Sequence, residues 1–385
     1  MIPYGRQFIT EDDIEAVKQV LKSDFITQGP VVPEFENDVV NLVSAKHAVA
    51  VNSATSALHI ACLALGLQEG DWLWTSPISF VASANCGLYC GAKISFVDID
   101  EKTYNICPES LEKKLIEAKK LGQLPKVVVL VHYAGQSCDM RKIHLLSQEY
   151  NFKIIEDASH AIGGMYDKHY IGSCEYSDIT VFSFHPVKII TTAEGGIATT
   201  NCTDLFKKML LLRSHGISRD PNEMQGYSEG PWYYEQLELG FNYRMTEMQG
   251  ALGRSQIKTI KDNINRRHAI AKQYHKELSN LQITLPYQSD FSTSSYHLFP
   301  IQLHLEKIKY SRKEVFNMLR EQGIGVNVHY IPIHTQPFYK RLPYDLGNYP
   351  VAESFYEKVI TIPLFHSMSD LEQRKVIESI KNIIG

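Results

Sequence analysis

Residues 178–196 read DITVFSFHPVKIITTAEGG. The first seven are mostly apolar, which predicts a buried strand over 178–184. This strand leads directly into a loop that carries a single lysine, Lys188. The pair Gly195–Gly196 ends the loop, and glycine allows the backbone to pass close to a neighbouring group. The pattern predicts a lysine that is presented to a binding site.

A second apolar run, residues 153–157, ends in a carboxylate at Asp157. A lysine amine forms a Schiff base with an aldehyde cofactor, and an aspartate at a strand end can keep a pyridine nitrogen protonated. Most lysines and strand-end aspartates are merely solvated, but here the two follow buried strands and flank a glycine-bounded loop. Lys188 and Asp157 together therefore predict a site for pyridoxal 5'-phosphate (PLP).

The composition is that of an ordinary globular protein. The chain has 385 residues, 44% of them hydrophobic and 21% charged, which suits a large and a small domain with a core each. A net charge of −4 leaves no basic footprint for nucleic acid. The seven cysteines are odd in number and none has metal-site spacing, so we expect reduced thiols and no metal.

The N-terminal residues and the hydropathy indicate where in the cell the protein is expected. Residues 1–6 lack the shape of a signal peptide. No apolar run reaches the length of a membrane helix. We therefore expect a cytoplasmic protein with no membrane partner.

Strands and helices alternate from about residue 46 to 200, which predicts an α/β domain. Continuous apolar runs are typical of a parallel sheet that is covered on both faces. The predicted strands are residues 48–52, 72–75, 93–97, 127–132, 153–157 and 178–184, with a returning strand at 197–200. Thr10 to Asp13 form a capping box for a helix that runs to Leu21.

The second half of the chain predicts a different organisation. Residues 218–238 are rich in Gly, Pro, Asn and aromatic residues, which indicates a long irregular loop. Helical periodicity follows from Met245 to about Leu278. A smaller α+β region then includes predicted strands at 296–303 and 326–331 and helices capped at Ser311 and Ser369. We predict domains at 1–245 and 246–385.

Seven motifs extend this interpretation over nearly the whole chain. They are TQGP (27–30), NSATSALH (52–59), EDASHA (156–161), the Lys188 segment, RSHG (213–216), GFNYRM (240–245) and VHYIPIH (328–334). In this order they resemble the DegT/DnrJ/EryC1/StrS sugar aminotransferases. That resemblance implies the PLP-dependent aspartate-aminotransferase fold (fold type I): a large domain with a mostly parallel central sheet, plus a smaller α+β C-terminal domain.

The resemblance also assigns roles to residues around the cofactor. It implies that Lys188 forms the internal aldimine and then moves the proton as general base and acid, while Asp157 holds the pyridinium N–H. Further residues have implied cofactor contacts: Thr55, Ser56 and Ser183 at the phosphate, Phe80 on the ring face, His160 at the phenolic oxygen, and Asn242 from the other subunit of a homodimer with shared active sites.

Substrate contacts are implied for a further set of residues: Tyr4, Arg6, Trp232, His329 and His334. For the two histidines a structural role remains equally open. The segment 185–196, with Phe80, is most similar to the pseudaminic-acid branch of the family. That branch takes L-glutamate as amino donor and aminates C4 of UDP-2-acetamido-2,6-dideoxy-beta-L-arabino-hex-4-ulose.

Three alternatives stay open at this point. One is an aminotransferase on another nucleotide-linked 4-keto-6-deoxy sugar, of the GDP-perosamine or UDP-bacillosamine type. Another is a PLP-binding regulator without activity, which the intact Lys188 and Asp157 disfavour. The third is the dehydratase subclass of the family, which replaces the lysine by histidine and is disfavoured for the same reason.

Overall fold

The computed structural model describes residues 1–344 and 347–385. Its strands are β1 (His47–Val51), β2 (Trp72–Thr75), β3 (Lys93–Phe96), β4 (Val127–Val131), β5 (Lys153–Asp157), β6 (Met165–Tyr166), β7 (His169–Tyr170), β8 (Ile179–Ser183), β9 (Gly196–Thr200), β10 (Ile217–Ser218), β11 (Glu235–Gln236), β12 (Ile283–Thr284), β13 (Ser292–Thr293), β14 (Phe299–Leu303) and β15 (Val359–Ile362).

The helices cover both faces of the main sheet and build the C-terminal region. They are α1 (Glu11–Leu21), α2 (Val31–Val43), α3 (Ala54–Ala64), α4 (Ala82–Tyr89), α5 (Pro108–Leu121), α6 (Met140–Tyr150), α7 (Thr203–Arg213), α8 (Glu247–Lys258), α9 (Ile260–Leu278), α10 (Arg312–Glu321), α11 (Pro350–Lys358) and α12 (Asp370–Ile384). Within the described ranges, none of them combines the length and apolar character needed to cross a membrane.

The central sheet has seven strands in the order β1-β9-β8-β5-β4-β2-β3. Strand β9 runs antiparallel to both β1 and β8, and the remaining pairs are parallel. Strands β4, β8 and β9 are buried along their whole length, as a sheet covered on both faces requires. The α/β class and the mostly parallel central sheet that the sequence predicts are confirmed.

The strands predicted for the central sheet fall where the structure has them, with ends that differ by one residue at most. The strand predicted at 296–303 starts three residues later, as β14 (Phe299–Leu303). Strand β9 begins at Gly196, directly after the lysine loop, and Gly196 lies opposite Ser183 of β8 in the ladder. The loop that carries Lys188 therefore starts and ends at the same rung of the sheet. Capping boxes open α1, α10 and α12 at Thr10, Ser311 and Ser369 as predicted.

The turn at 27–30 has a packing explanation within this chain. Glu247 Oε2 accepts a hydrogen bond of 2.6 Å from the backbone N–H of Val31, at the first turn of α2. A Cβ on Gly29 would lie 2.6 Å from Phe25 Cβ and 2.9 Å from Glu247 Oε2. Only glycine leaves room for this buried carboxylate, which favours the positive end of the helix dipole.

A second apolar core surrounds the small sheet β12-β14-β15. Helices α10 and α12 and the C-terminal half of α9 contribute to it, and Ile2 from the N-terminus joins it. The proposed boundary near residue 245 remains a prediction, because helix α8 packs on α1 and α2 of the large region while α9 reaches the second core.

The predicted strand at 326–331 is wrong. Asn327 forms a single bridge with Thr361 of β15, and the chain then leaves the sheet edge. Side chains of this segment bond to other groups instead: His329 Nδ1 lies 2.9 Å from Thr361 Oγ1, and the Tyr330 hydroxyl lies 3.1 Å from His160 Nε2. Val328 and Tyr330 of this segment pack against the core of the large region, whereas Val326 joins the second core. The segment 218–238 is irregular as predicted, apart from the two-residue strands β10 and β11.

Candidate active site

A cavity of about 540 Å³ opens at the carboxyl ends of β4, β5 and β8, next to the N-terminus of α3. This edge is where open α/β sheets bind ligands. The cavity brings together most of the residues singled out in the sequence: Tyr4, Thr55, Phe80, Asp157, His160, Ser183, Lys188 and His329. Arg6, Ser56, Trp232, Asn242 and His334 lie outside its wall.

Lys188 is held in the cavity by a loop whose backbone is fixed on both sides. Thr191 Oγ1 donates to the Phe184 carbonyl at 2.9 Å, and Asn263 Nδ2 of α9 donates to the Ile189 carbonyl at 2.5 Å. Burial lowers the pKa of Lys188 to about 8, and the nearby Asp157 charge partly opposes that shift. The amine is therefore much closer to its neutral, nucleophilic form near pH 7 than an exposed lysine is.

Asp157 is positioned by a set of hydroxyl groups. Its Oδ2 accepts a hydrogen bond of 2.6 Å from Ser83 Oγ, and its Oδ1 accepts from the hydroxyl and backbone N–H of Ser159 at 2.6 and 3.2 Å. Ser79 Oγ lies 2.6 Å from Ser83 Oγ and extends the network. The carboxylate is thus fixed in orientation, as a partner for a protonated ring nitrogen must be.

The N-terminus of α3 forms an anion-binding cradle at the other end of the cavity. Ser53 is its N-cap and accepts from the Ser56 backbone N–H at 3.1 Å, whereas the N–H groups of Ala54 and Thr55 belong to the first turn, which lacks intrahelical partners. Ser53, Thr55 and Ser183 line the cavity. Ser56 does not, since its hydroxyl donates to Asn52 Oδ1 at 2.7 Å.

The second glycine of the motif explains how the lysine loop and this cradle meet. A Cβ on Gly196 would lie 2.4 Å from Ala54 N and 2.6 Å from Ala54 Cα and Ser53 C. All three contacts are with backbone, so no side-chain rotation would relieve them. Gly196 therefore allows β9 to run directly against the first turn of α3.

His160 lies at the back of the cavity in a neutral form. The backbone N–H of Ala134 donates to its Nδ1 at 3.2 Å, and its Nε2 lies 3.1 Å from the Tyr330 hydroxyl. Burial, with the charge of Lys188, holds the pKa of His160 well below its usual value. The ring of His297 packs 4.5 Å from that of His160, between centroids.

Aromatic side chains border the cavity on two sides, one from the small region and one from the segment that precedes α4. Phe80 is 61% exposed although it borders the cavity, and its ring centre lies 6.5 Å from that of Tyr330. Such an exposed ring is free to stack on a planar ligand. Tyr4 packs 5.2 Å from the His329 ring, and burial lowers the pKa of His329 to about 3.

The remaining predicted residues are placed elsewhere. His334 is buried and its Nε2 lies 2.9 Å from Glu353 Oε1, and Trp232 is 71% exposed in the loop 218–238. Arg6 borders a separate small cavity behind Lys188. Asn242 is exposed and forms a bridge with Ser214. Substrate and cofactor roles for these residues remain predictions.

Sequence reasoning missed four residues of the site: Ser83, Ser159, His297 and Tyr330. Ser83 reaches the site from a segment far from Asp157 in sequence, and no local pattern marks it. Tyr330 lies within the motif at 328–334, in which only the two histidines were assigned a role. Ser159 lies within the motif that contains Asp157, and its position two residues after a strand-end carboxylate was the available signal.

The donor set fits PLP. A lysine amine, a fixed carboxylate, a helix N-terminus beside two hydroxyl groups and an exposed aromatic ring surround one cavity of about 540 Å³. These groups match the aldehyde, the ring nitrogen, the phosphate and the ring face of that cofactor.

Comparisons with known proteins agree with this geometry. The chain is 38% identical over 388 residues to a UDP-4-amino-4,6-dideoxy-N-acetyl-beta-L-altrosamine transaminase of Campylobacter jejuni, covering 100% of this chain and 98% of that protein. It is 37% identical over 386 residues to the spore coat polysaccharide biosynthesis protein SpsC of Bacillus subtilis, covering 100% and 97%.

Solved structures give the same answer. PseC of Helicobacter pylori, an aminotransferase involved in the biosynthesis of pseudoaminic acid, superposes with a TM-score of 0.90 at 31% identity and covers 100% of this chain and 99% of its own. The PMP form of the sugar aminotransferase Spr1654 of Streptococcus pneumoniae has a TM-score of 0.89 at 30% identity, with 100% and 99% covered. Residues 7–381 match the DegT/DnrJ/EryC1/StrS aminotransferase family, and the chain belongs to that family of PLP-dependent transaminases.

Proposed function

We propose that this sugar aminotransferase transfers the amino group of L-glutamate to C4 of UDP-2-acetamido-2,6-dideoxy-beta-L-arabino-hex-4-ulose, a step of pseudaminic acid biosynthesis. The main support is the full-length similarity to the Campylobacter jejuni transaminase at 38% identity. The Helicobacter pylori neighbour, with its TM-score of 0.90, supports the same pathway. Lys188 and Asp157 are both present in the cavity, which supports activity over a purely regulatory role.

Lys188 and Asp157 have different roles in the proposed transamination. Bound PLP supplies an electron sink and carries the amino group between donor and acceptor. Lys188 Nζ takes a proton from the carbon of the donor and later returns one to the sugar carbon, which requires an amine of near-neutral pKa such as the value of about 8 seen here. Asp157, fixed by Ser83 and Ser159, would hold the ring nitrogen of bound PLP in its protonated form.

The nucleotide sugar is anionic, and the cavity offers it little positive charge from one chain. Among the described residues that line the cavity, Lys188 is the only lysine or arginine. We therefore infer that part of the site comes from a second copy. Asn242 is exposed and lies away from the cavity of its own chain. We propose that it contributes to the cavity of the other subunit.

An exposed apolar surface supports such a homodimer. Helix α1 and the segment after it expose Ile14, Leu21, Phe25 and Ile26, each by at least half of its surface, at 50%, 59%, 55% and 52%. Exposed apolar patches of this kind mark interaction sites. An isologous dimer would cover the same surface on both copies.

A panel of acceptors tests the substrate. The enzyme is incubated with L-glutamate and UDP-, GDP- or dTDP-linked 4-keto-6-deoxy sugars, and the amino-sugar products are identified by mass spectrometry and NMR. Lys188→Ala serves as the inactive control. The proposal expects the UDP-linked L-arabino acceptor to be preferred. A clear preference for a GDP-linked sugar, or for the D-xylo epimer, would contradict it and leave the family unchanged.

One alternative has a specific observation in its favour. The Bacillus subtilis relative, named for spore coat polysaccharide biosynthesis, is almost as similar at 37% identity. A different nucleotide-linked 4-keto-6-deoxy sugar is therefore the second candidate acceptor, and the same panel would reveal it.

A further inference from the structure

The hydroxyl of Tyr330 has a hydrogen-bond arrangement that the implied cofactor contacts do not explain. Tyr330 lies on the cavity wall, carried there by the segment 327–330 from the small region. The buried Tyr133 hydroxyl donates to the His329 carbonyl at 2.7 Å and holds that segment against the large region. The Tyr330 hydroxyl itself lies 3.1 Å from His160 Nε2.

The direction of the His160–Tyr330 hydrogen bond follows from the other ring nitrogen. The Ala134 backbone N–H is a donor only, so His160 Nδ1 must accept the bond of 3.2 Å between them. A neutral histidine then carries its proton on Nε2. Burial keeps His160 neutral by holding its pKa well below the usual value. Nε2–H therefore donates to the Tyr330 oxygen.

This bond leaves the proton of Tyr330 unused. A phenol has one proton and two lone pairs, and His160 occupies one lone pair. Within residues 1–344 and 347–385, no protein group accepts a hydrogen bond from the Tyr330 hydroxyl. Burial, with the nearby Tyr4 and Asp157, raises the pKa of Tyr330. The hydroxyl is thus a permanent donor on the cavity wall.

The chemistry of PLP identifies which acceptor this donor meets. Its polar atoms are the ring nitrogen, the phosphate, the aldehyde and the phenolic oxygen. Asp157 would take the first, the α3 N-terminus with Ser183 would take the second, and Lys188 would take the third. The phenolic oxygen is left, and when it is anionic it accepts a stronger hydrogen bond than a neutral oxygen does.

We propose that Tyr330 donates a hydrogen bond to the phenolic oxygen of bound PLP, and that His160 acts through Tyr330 as a positioning residue. This differs from the direct contact between His160 and the phenolic oxygen that the family resemblance implies. Asp157 and Tyr4 face the Tyr330 hydroxyl, and Lys188, His297 and His329 surround the His160 ring. Tyr133 faces both members of the pair.

The test is the pH titration of the visible band of the cofactor-loaded protein, which needs no sugar. The proton lost in this titration is shared between the Lys188-bound nitrogen and the phenolic oxygen. A donor to that oxygen favours the deprotonated form and lowers the midpoint. Tyr330→Phe should raise the midpoint by about one pH unit, as the loss of a hydrogen bond to a charged group implies. Tyr339→Phe, whose hydroxyl bonds Asn85 Oδ1 at 2.5 Å, is the control and should leave it unchanged.

A double-mutant cycle separates action through Tyr330 from a direct contact. His160→Leu should move the midpoint when Tyr330 is present and should have no effect in the Tyr330→Phe background. Equal shifts in both backgrounds would show that His160 contacts the cofactor itself. An unchanged midpoint in Tyr330→Phe would also overturn the proposal. So would a Tyr330→Phe protein that folds but binds no PLP, because the loss of one hydrogen bond does not abolish binding. Since the readout is spectral, a failed substrate assignment would leave this result unaffected.

Discussion

Replacing Gly196 by alanine should impair cofactor binding through one backbone contact. The new Cβ would lie 2.4 Å from Ala54 N, and ordinary contact requires about 3.4–4 Å. The first turn of α3 must therefore move by about 1 Å relative to β9. A shift of this size would misplace the N–H groups of Ala54 and Thr55, which would bind the phosphate of PLP.

The expected loss follows from those hydrogen bonds. Bonds to a charged group contribute about 1.5–3 kcal/mol, so losing their geometry should weaken PLP binding about 10- to 150-fold. Overpacking should also lower the free energy of unfolding by about 1–3 kcal/mol. The assay is a PLP titration of cofactor-free protein followed by absorbance, with thermal unfolding measured in parallel.

Gly5→Ala is the matched control. Gly5 also lies beside the lysine loop, but its Cβ would meet Val187 O only at 3.8 Å, which is ordinary contact. We expect parental PLP affinity and stability for this variant. Parental PLP affinity in Gly196→Ala, with stability reduced, would show that the close approach serves packing alone and would refute the role given to the α3 turn.

Three further predictions concern charge and assembly. Asp157→Asn should still bind PLP but slow the half-reaction with glutamate by about 10- to 150-fold, because a charge-assisted hydrogen bond is lost. Ser83→Ala should slow this half-reaction less. Unchanged stopped-flow rates in Asp157→Asn would show that the ring nitrogen has another partner. In the cofactor-free protein the pKa of Lys188 is lowered to about 8, so the unfolded state binds more protons from about pH 8 to 10 and the free energy of unfolding rises with pH there. This rise, at most about 3 kcal/mol, should be absent when Lys188→Met is unfolded by denaturant. An equal rise in both proteins would contradict the prediction. Lys188→Ala and Asn242→Ala chains, each nearly inactive alone, should recover about a quarter of parental activity when they are refolded together in equal amounts. Half of the dimers are then mixed, and each mixed dimer has one intact site. No recovery in confirmed dimers would exclude a shared site.

The sequence predicted the sheet well because buried parallel strands leave a local signal. Residues 127–131 are a continuous apolar run. The segments 153–157 and 178–184 carry shorter apolar stretches, the first ending at Asp157 and the second leading into the loop of Lys188. An N-cap serine before a helix is a local pattern that marks the start of α3. The phosphate role of this turn came only from the family resemblance and remains a prediction.

The rest of the site depends on contacts between distant segments. Ser83 reaches Asp157 from α4, and Tyr330 reaches His160 across 170 positions of the chain. A side chain's partner at such separation is fixed by packing, which no local pattern encodes. The same reason explains the wrong strand at 326–331: Val328 and Tyr330 pack on the large region instead of extending the small sheet.

The rung shared by Ser183 and Gly196 has a consequence for protein engineering. Because the lysine loop leaves and re-enters the sheet at one level, changing its length between residues 185 and 194 does not shift the register of β8 or β9. Loop variants that keep Ser183, Lys188 and Gly196 could therefore be exchanged among relatives as a cassette.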